Sequence, residues 1–281
     1  MVDPFRERVA VITGGGSGIG AGLARAFAAR GARLVLADID EEALAATSDE
    51  LAAAGARVLT VPTDVRDRAA VRALADRAFA ECGAVHLLCN NAGVATFGPI
   101  VRASDADWDF TLGVNLLGVV HGVQAFVPRM IEQGEGGHVV NTASMAGLVG
   151  MAMLGIYCTS KFGVVGLSEA LHLELAPHGI GVSVLCPGLV ETRIGENTRK
   201  LHPELRGAEP DPGDAPAIRP TVVLTPDDVA ARVVEAIERG WLYVITHPEQ
   251  WDMLRRRAAR IERACREQLG TETAPSTPAP G

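Results

Sequence analysis

The chain has 281 residues, the size of one large α/β domain, and 48% are hydrophobic while only 4% are aromatic. Its core therefore has to be assembled from Ala, Val, Leu and Ile, as where helices pack on parallel strands. A formal charge of -8 argues against nucleic acid or an anionic membrane as a general partner and leaves a small molecule as the expected ligand. The cysteines Cys82, Cys89, Cys158, Cys186 and Cys265 are scattered and form no C-x-x-C pair, which predicts reduced core thiols, no disulfide framework and no metal site. The first residues lack a basic segment followed by an apolar run, and no stretch is expected to span a membrane, so the expected compartment is the cytoplasm.

In chain order, Arg8 to Thr13 is a short apolar run that stops at Gly14-Gly15-Gly16-Ser17-Gly18-Ile19-Gly20, and a helical pattern follows from Ala21 to Arg30. Strand, glycine turn and helix in this order let backbone N–H groups at a helix N-terminus approach a pyrophosphate, which a side chain at the closest positions would block. The pattern is Thr13-Gly14-x-x-x-Gly18-x-Gly20, because Ile19 stands where Gly-x-Gly-x-x-Gly would need its last glycine. A second apolar run, Leu34 to Ala37, ends at Asp38. A carboxylate there can accept hydrogen bonds from both adenosine ribose hydroxyls and would repel a 2′-phosphate. Neither Ser17 nor Ile39 offers that phosphate a cation, so NAD is expected over NADP. The competing role for Asp38, or for Asp40, is to cap a helix starting near Glu41.

Arg57 to Val61 reads as a third strand, followed by Asp64-Val65 and a helix from about Asp67 to Cys82; Val85 to Cys89 reads as a fourth, leading into Asn90-Asn91-Ala92-Gly93. This alternation predicts a doubly wound parallel sheet with helices on both faces, three layers in all. Within the helical stretch Asp105 to Gln133, Asn115 stands among Leu, Val and Gly, which is costly unless its amide finds partners. Further on, Tyr157 and Lys161 are four residues apart and share a helix face. An ammonium beside a phenol favours its anion, and the pair is an acid-base device.

Pro203, Pro210, Pro212, Pro216 and Pro220 break the helical pattern between Arg193 and Leu224, predicting a long loop at about 193–225 that covers the site. Thr225-Pro226-Asp227-Asp228 then starts a helix, and Trp241 to Thr246 forms the last strand. After His247-Pro248, residues 248–270 form an amphipathic helix with Trp251, Leu254, Ala258, Ile261 and Cys265 on one stripe and Arg255, Arg256, Arg257, Arg260, Arg263 and Arg266 around it. That stripe is expected to pack on the body or on a second subunit. The tail, 271–281, is polar and Pro-rich and is expected to be disordered.

Five separated motifs now agree in order: Thr13-Gly14-x-x-x-Gly18-x-Gly20, Asp64, Asn90-Asn91-Ala92-Gly93, Ser144 with Tyr157-x-x-x-Lys161, and Pro187-Gly188 followed by Thr192. In these the sequence closely resembles the short-chain dehydrogenase/reductase family, from about Arg8 to Thr192. The resemblance implies a Rossmann-type catalytic domain over 1–247 and an oxidoreductase that interconverts a secondary alcohol and its ketone with NAD. It implies catalytic roles for Asn115, Ser144, Tyr157 and Lys161: Tyr157 carries the proton, Lys161 lowers its pKa, Ser144 holds the substrate oxygen, and Asn115 holds a relay water. Cofactor contacts are implied for Thr13, Gly14, Ser17, Gly18, Ile19, Gly20, Asp38, Ile39, Asp64, Val65, Asn91, Ala92, Gly93, Tyr157, Lys161, Pro187, Gly188, Val190 and Thr192. The uncharged stretch between Ser144 and Tyr157 borders the substrate pocket in this family. Val94, Phe97, Met151, Met153, Leu154 and Leu189 are therefore expected to line an apolar pocket for a hydrophobic alcohol or ketone. His121, His172 and His178 match nothing catalytic and read as surface or satisfied histidines.

The C-terminal helix departs from the family's usual ending and leaves homodimer and homotetramer both open. The other class of function is a non-catalytic dinucleotide sensor, against which Ser144 argues, since cofactor binding alone does not need it.

Overall fold

The computed structural model describes residues 4–203 and 222–269. Among these, seven strands form one parallel sheet. In spatial order they are β3 (Val58–Pro62), β2 (Arg33–Asp38), β1 (Val9–Thr13), β4 (Leu87–Asn90), β5 (Gly137–Thr142), β6 (Ile180–Cys186) and β7 (Tyr243–Ile245), numbered in chain order. Parallel neighbours cannot be joined by a tight turn, so each crossover carries helix. These helices are α1 (Gly18–Ala29), α2 (Glu41–Ala53), α3 (Arg68–Cys82), α4 (Asp105–Leu112), α5 (Gly118–Gln133), α6 (Gly155–Leu175), α7 (Ile194–Leu201) and α8 (Pro226–Arg239).

The strand residues alternate between two cores, as a pleated strand requires. Val9, Val11, Val35 and Leu88 join Leu74, Phe126 and Leu171 of α3, α5 and α6 on one face. Ala10, Ile12, Leu34, Leu36 and Leu87 join Leu23, Phe27, Leu44 and Val233 of α1, α2 and α8 on the other. The expected doubly wound, three-layer sheet is borne out, with β3 one residue later and β4 two residues later at its start than the apolar runs suggested.

Local chemistry sets the helix ends. Asp40 caps α2 by accepting from the Ala43 N–H at 3.1 Å, Asp67 caps α3, and Thr225 with Asp228 closes a reciprocal capping box on α8 with Pro226 at its first position. The capping role thus falls to Asp40 and leaves Asp38 for other work.

The readings of the stretch after Arg193 and of the cysteines need correction, and one helix bears on the expectation that no stretch spans a membrane. Asp105–Gln133 is one helical run, long and apolar enough by length and composition to cross a membrane, although 61% of its apolar window is buried inside the fold. It is a core helix that packs on α3 and the sheet, with a π-helical turn, Gly113–Leu117, joining α4 to α5. The stretch read as loop after Arg193 contains a helix, α7; Pro210, Pro212, Pro216 and Pro220 lie outside the described residues, as does the tail 271–281. The cysteines divide: Cys89, Cys158 and Cys186 are buried, Cys82 is half-buried and Cys265 is exposed, so only three are core thiols.

The chain separates into two units, Met1–Thr246 and His247–Gly281. The second, where described, is a short turn at Pro248–Gln250 followed by α9 (Trp251–Leu269), in which no residue is buried.

Candidate active site

From β1 the chain winds towards β2 and β3, and from β4 towards β5, so a crevice opens at the carboxyl ends of β1 and β4. Thr13 fastens this switch point. Its Oγ1 accepts from the N–H groups of Asn91 (2.9 Å) and Ala92 (3.1 Å), and Asn91 Nδ2 returns a bond to the Thr13 carbonyl at 3.0 Å. Thr142 at the end of β5 donates to Asn91 Oδ1 at 3.2 Å, so three strand ends are tied together.

The glycine turn lies directly on this knot. Gly14 has φ +64, and a Cβ there would sit 2.9 Å from Ala92 Cα; a Cβ on Gly20 would sit 2.0 Å from the Gly14 carbonyl oxygen. Ser17 precedes α1 but makes no side-chain capping bond, which leaves the helix N-terminus to an anion. A cavity of about 570 Å³ opens here, lined by Gly16, Ser17, Gly18, Thr47, Thr192 and Arg193 among others. Side-chain-free backbone, an uncapped helix end and a neighbouring carboxylate are what a dinucleotide needs, and the residues fit one.

Asp38 ends β2 beside the turn. Its Oδ2 accepts from the Gly16 N–H at 2.9 Å and its Oδ1 from the Asp40 N–H at 3.0 Å, which leaves further lone pairs on both oxygens. Ile39 is partly exposed next to it. Asp64 is gripped by the Arg66 guanidinium at 2.6–3.0 Å. Burial pushes the Asp64 carboxyl up, but the bonds from Arg66 outweigh it and hold the group below its usual range. Val65 is buried, and the ring Nδ1 of His121 lies 2.9 Å from its carbonyl oxygen, which makes His121 a satisfied core histidine.

The loop after β6 closes the other side. The Pro187 carbonyl accepts from Met145 N at 2.9 Å and from Ser144 Oγ at 3.4 Å, Val190 bridges to Leu224, and the Thr192 methyl faces Gly18.

α6 carries Tyr157 and Lys161 on one face, with the Lys161 Nζ 5.6 Å from the Tyr157 ring centroid. Lys161 is 2% exposed, and its Nζ donates to the Thr142 carbonyl at 2.9 Å. Burial lowers the Lys161 pKa to about 8. For Tyr157, burial raises the pKa and a hydrogen bond with Ser144 pulls it back, with a net rise. The net direction is opposite to the lowering expected from Lys161, whose ammonium is turned onto the Thr142 carbonyl. Ser144 caps its own turn through the Ala146 N–H at 3.1 Å and faces Tyr157.

Asn115 sits on the π turn with no exposed surface, and its amide finds the partners that burial demands. Oδ1 accepts from Val94 N at 2.8 Å, and Nδ2 donates to the Val94 carbonyl at 3.0 Å and to Ser160 Oγ at 3.1 Å. Both amide hydrogens are thus committed to protein, and the side chain clamps the segment after β4 onto α6.

On the substrate side, Phe97 and Leu189 are 47% and 46% exposed, while Met151 and Leu154 are half-buried. Gly98 donates to the Met153 carbonyl at 2.8 Å, which holds Met153 at φ 64, a conformation unfavourable for any residue with a Cβ. Val94 is the exception: it is 2% exposed and packed in the core with Val114 and Phe110, so its side chain belongs to the fold and not to the open face.

Sequence reasoning passed over several residues that the fold brings in. Ser160, inside the Tyr157–Lys161 stretch, holds the Asn115 amide. Thr198 on α7 accepts from Ala95 N at 3.0 Å, Asn197 donates to Ser17 Oγ at 3.5 Å, and Lys200 pairs with Asp40 at 2.8 Å. The only sequence signal for the last group was a helix pattern too short and too polar to stand out beside the prolines.

The model of the short chain dehydrogenase family matches residues 8–202. A C alpha-dehydrogenase of Sphingobium sp. (strain NBRC 103272 / SYK-6) is 38% identical over 251 residues, which is 87% of this chain and 82% of that protein. A D-threitol dehydrogenase of Mycolicibacterium smegmatis is 40% identical over 220 residues, 75% of this chain and 84% of the relative. Among solved structures, a short chain dehydrogenase/reductase from Burkholderia phymatum in complex with NAD superposes with a TM-score of 0.85 at 42% identity, covering 99% of each chain. The matched span holds the crevice, the glycine turn and the Ser144, Tyr157 and Lys161 cluster alike, and the chain is an oxidoreductase belonging to the short chain dehydrogenase family.

Proposed function

We propose that this chain is an NAD-dependent oxidoreductase that interconverts a hydrophobic secondary alcohol and its ketone, with Tyr157 as the acid-base group. The observation that carries the reading is the cluster on α6: a phenol bonded to the Ser144 hydroxyl, with the buried Lys161 ammonium behind it, at the mouth of a dinucleotide cradle. Nicotinamide, when bound, supplies the hydride chemistry in either direction. Tyr157 Oη takes the hydroxyl proton during oxidation and returns it during reduction. Because burial raises its pKa, the phenol is in its donor form near neutral pH, suited to ketone reduction, and oxidation gains as pH rises. The Ser144 hydroxyl orients the substrate oxygen and stabilises charge that develops there. Lys161, fixed by the Thr142 carbonyl, keeps a positive charge beside the ring below a pH of about 8.

Asp38 supports NAD over NADP, because its free lone pairs suit ribose hydroxyls and its charge repels a 2′-phosphate. Exposed Phe97 and Leu189 with half-buried Met151 and Leu154 support an apolar substrate. The D-threitol dehydrogenase among the relatives acts, by its name, on a polyol, so the panel that tests this reading includes polyols.

Absorbance at 340 nm is followed with hydrophobic ketones, their alcohols and polyols, each with NAD(H) and NADP(H). The expected result is turnover of a hydrophobic member with NAD(H) preferred, and a loss of about 10³-fold in kcat for Tyr157→Phe with dinucleotide affinity retained. Activity of Tyr157→Phe within a few-fold of wild type would sink the assignment of the proton carrier. Turnover confined to polyols would sink the apolar pocket alone.

A further inference from the structure

Among the described residues, one carboxylate oxygen is buried with no hydrogen-bond partner: Oδ1 of Asp107, in the first turn of α4. The Asp107 side chain is 5% exposed, and its other oxygen accepts from the Ser104 N–H and hydroxyl at 2.8 Å each. A buried carboxylate oxygen left without a donor is costly. The group set against it is the Nε2 of His202, 3.8 Å away on a side chain 16% exposed. His202 directly follows α7, and its ring packs T-shaped on Phe110 of α4, 4.9 Å between centroids. The gap suits an ion pair and is about 1 Å too long for a hydrogen bond.

α7 joins the two walls of the dinucleotide crevice. Asn197 and Lys200, three apart and so on one side of the helix, reach Ser17 at the glycine turn (3.5 Å) and Asp40 just after β2 (2.8 Å). Thr198 and His202, four apart on a neighbouring side, reach Ala95 after β4 (3.0 Å) and Asp107 on α4. Of these four contacts the last stands open. We propose that His202 is a positioning residue for the dinucleotide: in its protonated form it closes onto Asp107, completes the span of α7 across the crevice and slows the departure of the cofactor. The proposal rests on the dinucleotide cradle described above and not on which alcohol is turned over.

Histidine is the side chain that changes charge between pH 5 and 8, and a charge-assisted bond to a carboxylate is stronger than a neutral one. The span therefore tightens as pH falls through that range. The charged groups around His202 allow this. From α4 it meets Asp107; beyond the Phe110 ring lies Arg66, 5.5 Å from that ring's centroid, with its charge held by Asp64. Arg199 and Lys200 precede it on α7, where Arg199 is exposed and Lys200 is held by Asp40.

Release of NADH from the full-length protein tests this, by stopped-flow displacement with excess NAD at pH 6 and pH 8, and likewise with NADPH. The ratio of the His202→Asn rate to the wild-type rate should rise by about threefold or more from pH 8 to pH 6. Asp107→Asn keeps an acceptor for Ser104 and removes the charge; it should give the same rise, and the double variant should add nothing to either single one. A ratio equal at both pH values overturns the proposal, because a lost packing contact with Phe110 would act at every pH. Effects that multiply in the double variant overturn it too. If neither dinucleotide binds, the cradle reading fails and this one with it; if one binds and turns over while the ratios stay level, the role of His202 alone fails.

Discussion

Asp38, proposed above as the ribose ligand, is a brace in the fold as well. Its two oxygens hold the Gly16 and Asp40 N–H groups, so it shapes the glycine turn that it also equips with charge. Asp38→Asn removes the charge and keeps one of the two acceptor oxygens, for the Gly16 or the Asp40 N–H. The expected outcome is a rise of about tenfold or more in kcat/KM for NADPH relative to NADH, since one charge-phosphate repulsion near a protein surface is worth over 1 kcal/mol. Steady-state kinetics with both cofactors decides it. His138 on β5 is a second residue whose setting outweighs its type. Burial, with the nearby His172 charge adding to it, holds its pKa down to about 4, and its Nε2 lies 2.8 Å from Ser183 Oγ. A folded pKa below the unfolded value of about 6.5 means the contribution to stability is full above pH 6.5 and is lost as pH falls towards 4. The loss is about 3 kcal/mol over that window. Urea unfolding at pH 7 and pH 4.5 should show a smaller difference in His138→Asn than in wild type. Nothing at sequence level separated His138 from the other histidines, because its neighbours across β6 come from a different part of the chain.

At the scale of elements, the parts with strong local chemistry were legible. The runs that became β1 and β2, the glycine turn, and the cap of α8 all stood out, because turn glycines and N-caps act within a few residues. The π turn in the Asp105–Gln133 run and the helix α7 did not. A π turn follows from what its residues reach, here Asn115 reaching Val94 and Ser160, and α7 is held by Ala95, Ser17 and Asp40 more than by its own propensity. Val94 misled for the same reason: its place after the Asn-Asn-Ala-Gly stretch suggested the pocket, while the core of α4 and the π turn took its side chain. The fit between β1 and α1 gives a sharper prediction. In Gly20→Ala the new Cβ would lie 2.0 Å from the Gly14 carbonyl oxygen, and backbone cannot yield as a flexible side chain does. Dinucleotide affinity should fall at least tenfold by fluorescence titration, and thermal midpoint should fall with it; unchanged affinity would mean that the turn does not hold the pyrophosphate.

Across the molecule, the sheet turns scattered positions into protected ones. Cys89 and Cys186 lie far apart in sequence on β4 and β6, and burial raises both thiol pKa values, Cys186 to about 12. Ellman's reagent should therefore leave both unmodified in the native protein and label them only after unfolding; native labelling of either would show that the β4–β5–β6 region opens. The same assembly explains what could be read from the chain alone. Period and turn chemistry determined a parallel sheet with helices on its faces, because parallel neighbours need crossovers of this length, and the motif order pointed to the doubly wound form. Spacing determined that Tyr157 and Lys161 share a helix face. Only the tertiary structure decided what that pair does to its own protonation, since desolvation depends on what is packed around it: the phenol was expected to be lowered by its neighbour and is raised by burial. It also decided that Thr13, Asn91 and Thr142 form one knot and that Asn115 spends its amide on Val94 and Ser160. Distances between residues so far apart in sequence are set by the packing of the sheet and its helices, and local sequence does not encode them.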